Sequence, residues 1–235
     1  ALLYSWAAAA APRGPPLLAA APRVEEGSGR VGLAMSAEET AALLYKMRAE
    51  GCWRTGQFVA ASRFYKDAST LGPLSPRSLC CFGESLVQTG WCAEGRQQLL
   101  EALRSVDETC HLHAAAAVAL SHAVEQQHDQ VLAYCGIVED LYWSQPQASR
   151  RRQQLKMPRA LRAIAHLRQG CPEKVLKELR NVGGAGATAD PGERSRPGRR
   201  WDELIQLSMS RAQVLCGDFG VAERHLEAAR ALAGS

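Results

Sequence analysis

The chain has 235 residues, 46% hydrophobic, 22% charged and 6% aromatic, and 28 basic against 24 acidic side chains leave a formal net charge of +4. It is long enough to bury roughly 70% of its unfolded surface in one or two domains, too apolar to be disordered throughout, and without the run of about 18 apolar residues that a membrane span needs. The charge balance names no partner, whereas abundant Ala and scarce β-branched residues set an all-helical expectation.

Residues 1–36, biased toward Ala, Pro and Gly, are expected to be disordered. Leu2, Leu3 and Trp6 form an apolar start, but it lacks a basic leader and an initiating Met. It therefore reads as upstream or partial sequence rather than a signal peptide. Ser36 before Glu38 and Glu39 carries the signature of a helix N-cap. Amphipathic segments then alternate with turn residues. Helices are expected at 41–54 and 58–71 around Thr55-Gly56, with Gly72-Pro73 as a stop. A second pair, 76–88 and 93–106, surrounds Thr89-Gly90, and Pro76 suits a first helical position.

The two Thr-Gly turns lie 34 residues apart (90 − 56). Downstream, His128-Asp129 reads as a third turn between 113–126 and 131–143. Gly170-Cys171-Pro172 is a fourth, between 158–168 and 173–182, and Gly217-Asp218 is a fifth. Residues 183–200, rich in Gly, Pro and Arg, cannot supply a core and are expected to be a flexible basic loop. Residues 201–235 hold the fifth helix pair.

This pattern resembles the tetratricopeptide repeat (TPR) family, with its 34-residue period and small residues where paired helices cross. Gly56 matches the family's turn glycine, Ala61 and Ala68 its alanines, Tyr65 its aromatic position and Pro73 its closing proline. In the second unit Leu79, Phe82, Gly83, Leu86, Gly90, Gly95, Leu99 and Ala102 match, with Asp107 in place of proline. In the fifth unit Ala222, Leu226 and Ala229 match. The resemblance implies an all-α, right-handed superhelical solenoid of about five helix-turn-helix pairs, with repeats one to four in 37–182.

By the same resemblance, first helices line a concave groove that binds an extended peptide or a partner helix. Its positions fall on Lys46, Glu50 and Arg54, then Arg77, Glu84 and Gln88, then His122, Glu125 and Gln126, with Arg168 and Arg211 from the last two units. TPR domains that capture chaperone C-terminal tails use a clamp of Lys, Asn and Arg side chains. Lys46 fits its first place, but Glu50 and Cys81 replace the asparagines and Ala115 the arginine, which argues against that ligand. The expected role is a non-catalytic protein-interaction scaffold for a protein or peptide ligand, in the cytoplasm or nucleus.

A second reading is a basic helical module that binds nucleic acid or another acidic partner. It rests on Arg150, Arg151, Arg152, Lys156, Arg159 and Arg162, since 152, 156 and 159 would share a helical face. Interleaved aromatics for base stacking are missing there. A third reading, a regulatory fragment of a larger enzyme, rests on no motif of this chain. The eight cysteines form no C-x-x-C pair, and the only Asn, Asn181, begins no glycosylation acceptor, which suits a reducing compartment. Cys110, His111, His113 and His122 do not have tetrahedral zinc spacing, and hydrolase, P-loop, dinucleotide and metalloprotease motifs are absent. No cofactor, metal or catalytic residue is expected. Met47 reads as core filler, and Trp53, Trp91, Trp143 and Trp201 as packing between repeats.

Overall fold

The computed structural model describes residues 36–106, 108–145, 152–180 and 198–233. Ten α-helices follow one another among the described residues, with no strand. They are α1 (Ala37–Arg54), α2 (Phe58–Leu71), α3 (Pro76–Gln88), α4 (Cys92–Leu103) and α5 (His111–Val124). Then come α6 (His128–Ser144), α7 (Lys156–Arg168), α8 (Pro172–Leu179), α9 (Gly198–Leu215) and α10 (Phe219–Ala233). Short 3-10 turns, Glu108–Cys110 and Arg152–Leu155, precede α5 and α7. The fold is all-α, a TPR-like stack of consecutive helix pairs.

Local chemistry sets the helix ends. Ser36 Oγ accepts from Glu39 N at 3.1 Å while Ser36 N donates to Glu39 Oε2 at 2.7 Å, so a capping box starts α1. Pro76 and Pro172 stand in the first turns of α3 and α8, where a missing N–H costs no helical bond. Within each pair the link is the same device. Gly56, Gly90, Gln126, Gly170 and Gly217 adopt left-handed φ angles between 61° and 93°. At each, the amide donates three residues back and the next amide five back, as Gly56 N does to Trp53 O and Gln57 N to Cys52 O. This is a Schellman closure, which satisfies the terminal carbonyls of one helix and leads straight into the N-cap of the next.

The third turn therefore centres on Gln126, two residues before the position expected from His128-Asp129. An ordinary side chain occupies a conformation that glycine fills in the other four pairs, which hid it from a search for glycine. In consequence α5 begins and ends about two residues earlier than the pattern suggested.

Counting back from the left-handed residues, Ala49, Gly83, Ala119, Ala163 and Ser210 occupy one register. Counting forward, Ala61, Gly95, Val131, Val175 and Ala222 occupy another. The backbones come close at α3 and α4: a Cβ on Gly83 would stand 2.8 Å from the Gly95 carbonyl oxygen, and one on Gly95 would stand 2.7 Å from that of Gly83. In the last pair Ser210 Oγ donates to Ala222 O at 2.9 Å across the same crossing.

Each second helix also packs against the following first helix, and successive first helices touch. Core clusters follow this path. Ala49, Ala61, Tyr65 and Phe82 join the first pair to α3; Leu99, Val118, Val131 and Leu161 fill the middle; Val175, Leu179, Ile205 and Met209 join α8 to α9. Helix α5 is buried without a break from residue 114 to 121, because α3, α4, α6 and α7 surround it. Its alanines allow that approach from every side.

Several expectations are corrected. Met47, Trp91 and Trp143 are 63%, 60% and 58% exposed, so they are not core or inter-repeat packing. Residues 198–200, assigned to a loop, already belong to α9. The expected disordered segment lies outside the described residues except for Ser36, as do residues 183–197 of the expected basic loop.

Candidate functional site

In the first two pairs most of the expected binding residues hold one another. Glu50 Oε1 accepts from Arg54 on its own helix at 2.7 Å and from Arg77 on α3 at 3.0 Å. The hydrogen bond from Arg54, helped by the charges of both arginines, outweighs burial and holds the Glu50 carboxyl below the usual carboxylate range. Lys46 Nζ donates to the Pro73 carbonyl at 3.0 Å. Gln88 is half-buried at the end of the same face.

Glu84 lies at the centre of a three-helix cluster. Its Oε2 accepts from Trp53 Nε1 at 2.9 Å, from α1, and is 2.8 Å from His113 Nε2, on α5. The Trp53 and His113 rings stand 5.7 Å apart, centre to centre. Burial disfavours the charged imidazole, but the hydrogen bond and charge of Glu84 outweigh burial and raise the His113 pKa. Trp53, expected as packing between repeats, does pack against the first core cluster and also binds Glu84, whereas His113 is not among the expected binding residues. Both fall on inner positions: Trp53 aligns with Leu167, and His113, once the third turn is placed at Gln126, with Leu43 and Arg77.

The two-residue correction at the third turn moves the other expected residues of that unit off the shared face. His122 stacks on Tyr134 of α6 with ring centres 5.4 Å apart, and its Nδ1 meets Gln127 Oε1 at 2.5 Å. Glu125 pairs with Arg96 of α4 at 2.7 Å, which lowers the Glu125 pKa. Gln126 forms the turn itself. In their place Ala116, Leu120 and Ala123 occupy the inner register, all buried. Arg168 and Arg211 remain exposed, with no ion pair to another described residue.

The basic face is also corrected. Lys156 Nζ pairs with Asp202 of α9 at 2.7 Å. Arg162, only 16% exposed, bridges Glu139 of α6 and Glu178 of α8 at 3.0 Å each. These two cations fasten helices together and do not present charge outward. Arg152 lies in a 3-10 turn separate from α7, so the helical register linking it to Lys156 and Arg159 is broken. Arg159 is half-buried. Arg151 and Arg150 lie outside the described residues.

Among the described residues no three His, Cys, Asp or Glu side chains converge as a metal site. Burial pushes the Cys81 and Cys135 thiols up to about 12, far from the reactive thiolate. A shallow cleft between α8, α9 and α10 is lined by Leu176, Arg180, Gln206, Met209, Gln213 and His225. There His225 Nδ1 is bound to Gln206 Oε1 at 2.8 Å, and burial lowers the His225 pKa. No helix among the described residues is long and apolar enough to cross a membrane.

No protein-family model matches the chain, and no curated protein matches it by sequence. Solved structures do match. MamA MSR-1 C2 superposes with a TM-score of 0.52 at 12% identity, over 82% of this chain and 97% of that one. A MamA point mutant gives 0.52 at 14%, over 83% and 99%. MamA AMB-1 C2221 gives 0.51 at 13%, over 82% and 99%. At these identities the likeness is one of architecture: nearly the whole length of each matched chain shares the helical-repeat fold described above.

Proposed function

We propose that the chain is a non-catalytic, cytoplasmic interaction scaffold that holds a peptide or helix of a partner protein along the face shared by α1, α3, α5, α7 and α9. The observation that carries this reading is the alignment of those helices. Successive first helices touch, so their inner positions line up along the array, with the small inner residues of α5 buried between its two ends. The helical-repeat likeness to the MamA structures supports the same architecture. The nucleic-acid reading loses its main support, since Lys156 and Arg162 are engaged in internal ion pairs.

The test is affinity capture after cross-linking in cells, with the full chain as bait. Leu43→Asp, Leu207→Asp and Leu215→Asp together alter exposed residues of the shared face. Arg63→Glu with Lys66→Glu alters the exposed side of α2 instead. Circular dichroism confirms that both variants stay folded. The expected result is loss of captured partners only for the first variant; an unchanged partner set for it would overturn the reading.

A further inference from the structure

The register fixed by the left-handed turn residues divides the shared face into two unlike halves. Toward α1 and α3 it carries one exposed leucine, Leu43, among charges that are internally satisfied: Glu50 by Arg54 and Arg77, Glu84 by Trp53 and His113, Lys46 by a backbone carbonyl. Toward α7 and α9 the same positions carry Ile164 and Leu167, then Leu204, Leu207, Val214 and Leu215. Leu207, Val214 and Leu215 are 37%, 46% and 56% exposed. At 204, 207, 211, 214 and 215 they follow a helical stripe, so the apolar band runs along α9 rather than across it.

Two cations border this band. Arg168 follows Ile164 by one helical turn, and Arg211 lies within the α9 stripe between Leu207 and Val214. Both are exposed and have no carboxylate partner among the described residues. On the same helix α7, by contrast, Lys156 and Arg162 are each matched to acidic side chains. The unmatched pair beside exposed leucines favours a ligand that brings both apolar surface and negative charge.

We propose that the α7–α9 face receives an amphipathic helix of a partner protein, with an apolar stripe flanked by acidic residues. This rests on the scaffold reading above and assigns its partner chemistry. Apolar anchors at helical spacing lie on Leu204, Leu207, Val214 and Leu215, and flanking carboxylates reach Arg168 and Arg211. A basic amphipathic helix would meet the same leucines but would be repelled by the arginines, so charge sets the choice and apolar area the strength.

The probe is a synthetic helix-forming peptide of about 18 residues, long enough to hold several turns, with Leu at i, i+3, i+4 and i+7 and Glu beside the stripe. A sister peptide carries Lys for each Glu, and a third has the first one's composition with the periodicity scrambled. Fluorescence anisotropy with the full chain is expected to show the Glu peptide binding about tenfold more tightly than the Lys peptide, and the scrambled one not binding. Arg168→Glu with Arg211→Glu is expected to reverse the charge preference, Leu207→Asp to abolish binding, and Lys66→Glu on α2 to change nothing. Equal affinity for both charges, binding indifferent to the arginine exchange, or preferential binding of a single-stranded oligonucleotide would overturn the proposal. So would concentration-dependent self-association through this face in sedimentation. Peptide binding that appears only after 183–197 is replaced by a Gly-Ser linker would also overturn it, naming the chain's own link as occupant. If no peptide binds while the shared-face variant still loses its cellular partners, this proposal fails and the scaffold reading stands.

Discussion

Replacing Gly83 with Ala isolates what the close crossing of α3 and α4 contributes. In an exposed helix interior the change stabilises by about 1 kcal/mol, because Ala orders at lower conformational cost. Here the new Cβ would stand 2.6 Å from Leu99 Cγ and 2.8 Å from the Gly95 carbonyl oxygen, well inside ordinary contact distance. Leu99 is fully buried and the other obstacle is backbone, so neither moves aside by a rotamer change. The helices must separate by a good fraction of an ångström, and such overpacking costs about 1–3 kcal/mol. Set against the propensity gain, Gly83→Ala is expected to destabilise by about 1–2 kcal/mol. Gly136, inside α6, has nothing beyond its chain neighbours and its own helix backbone within 4 Å of the corresponding Cβ position. Gly136→Ala is therefore the control, expected to stabilise by about 0.5–1 kcal/mol. Urea unfolding followed by circular dichroism and tryptophan fluorescence measures both. Equal or greater stability for Gly83→Ala would refute the crossing argument.

Three further outcomes follow from the turns and ion pairs. Gln126→Gly relieves a left-handed φ of 61° but frees the unfolded chain, so it is expected to stabilise by about 0.5 kcal/mol in urea unfolding; a clear loss would mean that the Gln126 side chain holds the turn. His113 has a pKa raised above its ordinary 6.5, so it binds protons more tightly folded than unfolded. Its contribution is full below pH 6.5 and is lost as pH rises through the raised folded value. The stability difference between wild type and His113→Gln should shrink across that window, and a difference that grows with pH would contradict the Glu84 pairing. Arg162→Ala leaves Glu139 and Glu178 half-buried without their shared cation and is expected to cost about 2 kcal/mol, whereas Lys156→Ala, losing one more exposed pair, should cost under about 1 kcal/mol. Equal losses in chemical denaturation would show that burial does not separate the two.

Much of the architecture is legible in the residues because the turns announce themselves. Thr55-Gly56, Thr89-Gly90, Gly170 and Gly217 mark left-handed positions that glycine fills most easily, and Pro76 and Gly72-Pro73 punctuate the first two units. Gln126 performs the same task without that mark, and the two-residue error then misplaced His122, Glu125 and Gln126. One hidden conformation thus corrupted a whole unit of the candidate site. The ion pairs were illegible for a different reason. Lys156 and Asp202 lie far apart in sequence, and helical spacing on α7 gives no sign of whether a cation faces water or a neighbouring helix. Met47, Trp91 and Trp143 were misjudged because size and apolarity do not fix burial in a stack whose helices have open edges.

The alanines of α5 have a mechanical consequence. Leu and Met can absorb a push by changing rotamer, but Ala has no side-chain torsion to turn, so its contacts shift only if whole backbones shift. The middle of the array is therefore its stiffest section, and a displacement imposed on α3 should reach α7 nearly undiminished. Hydrogen exchange provides the check: amides from 114 to 121 should exchange last of all, and early exchange there would place the array's compliance at its centre.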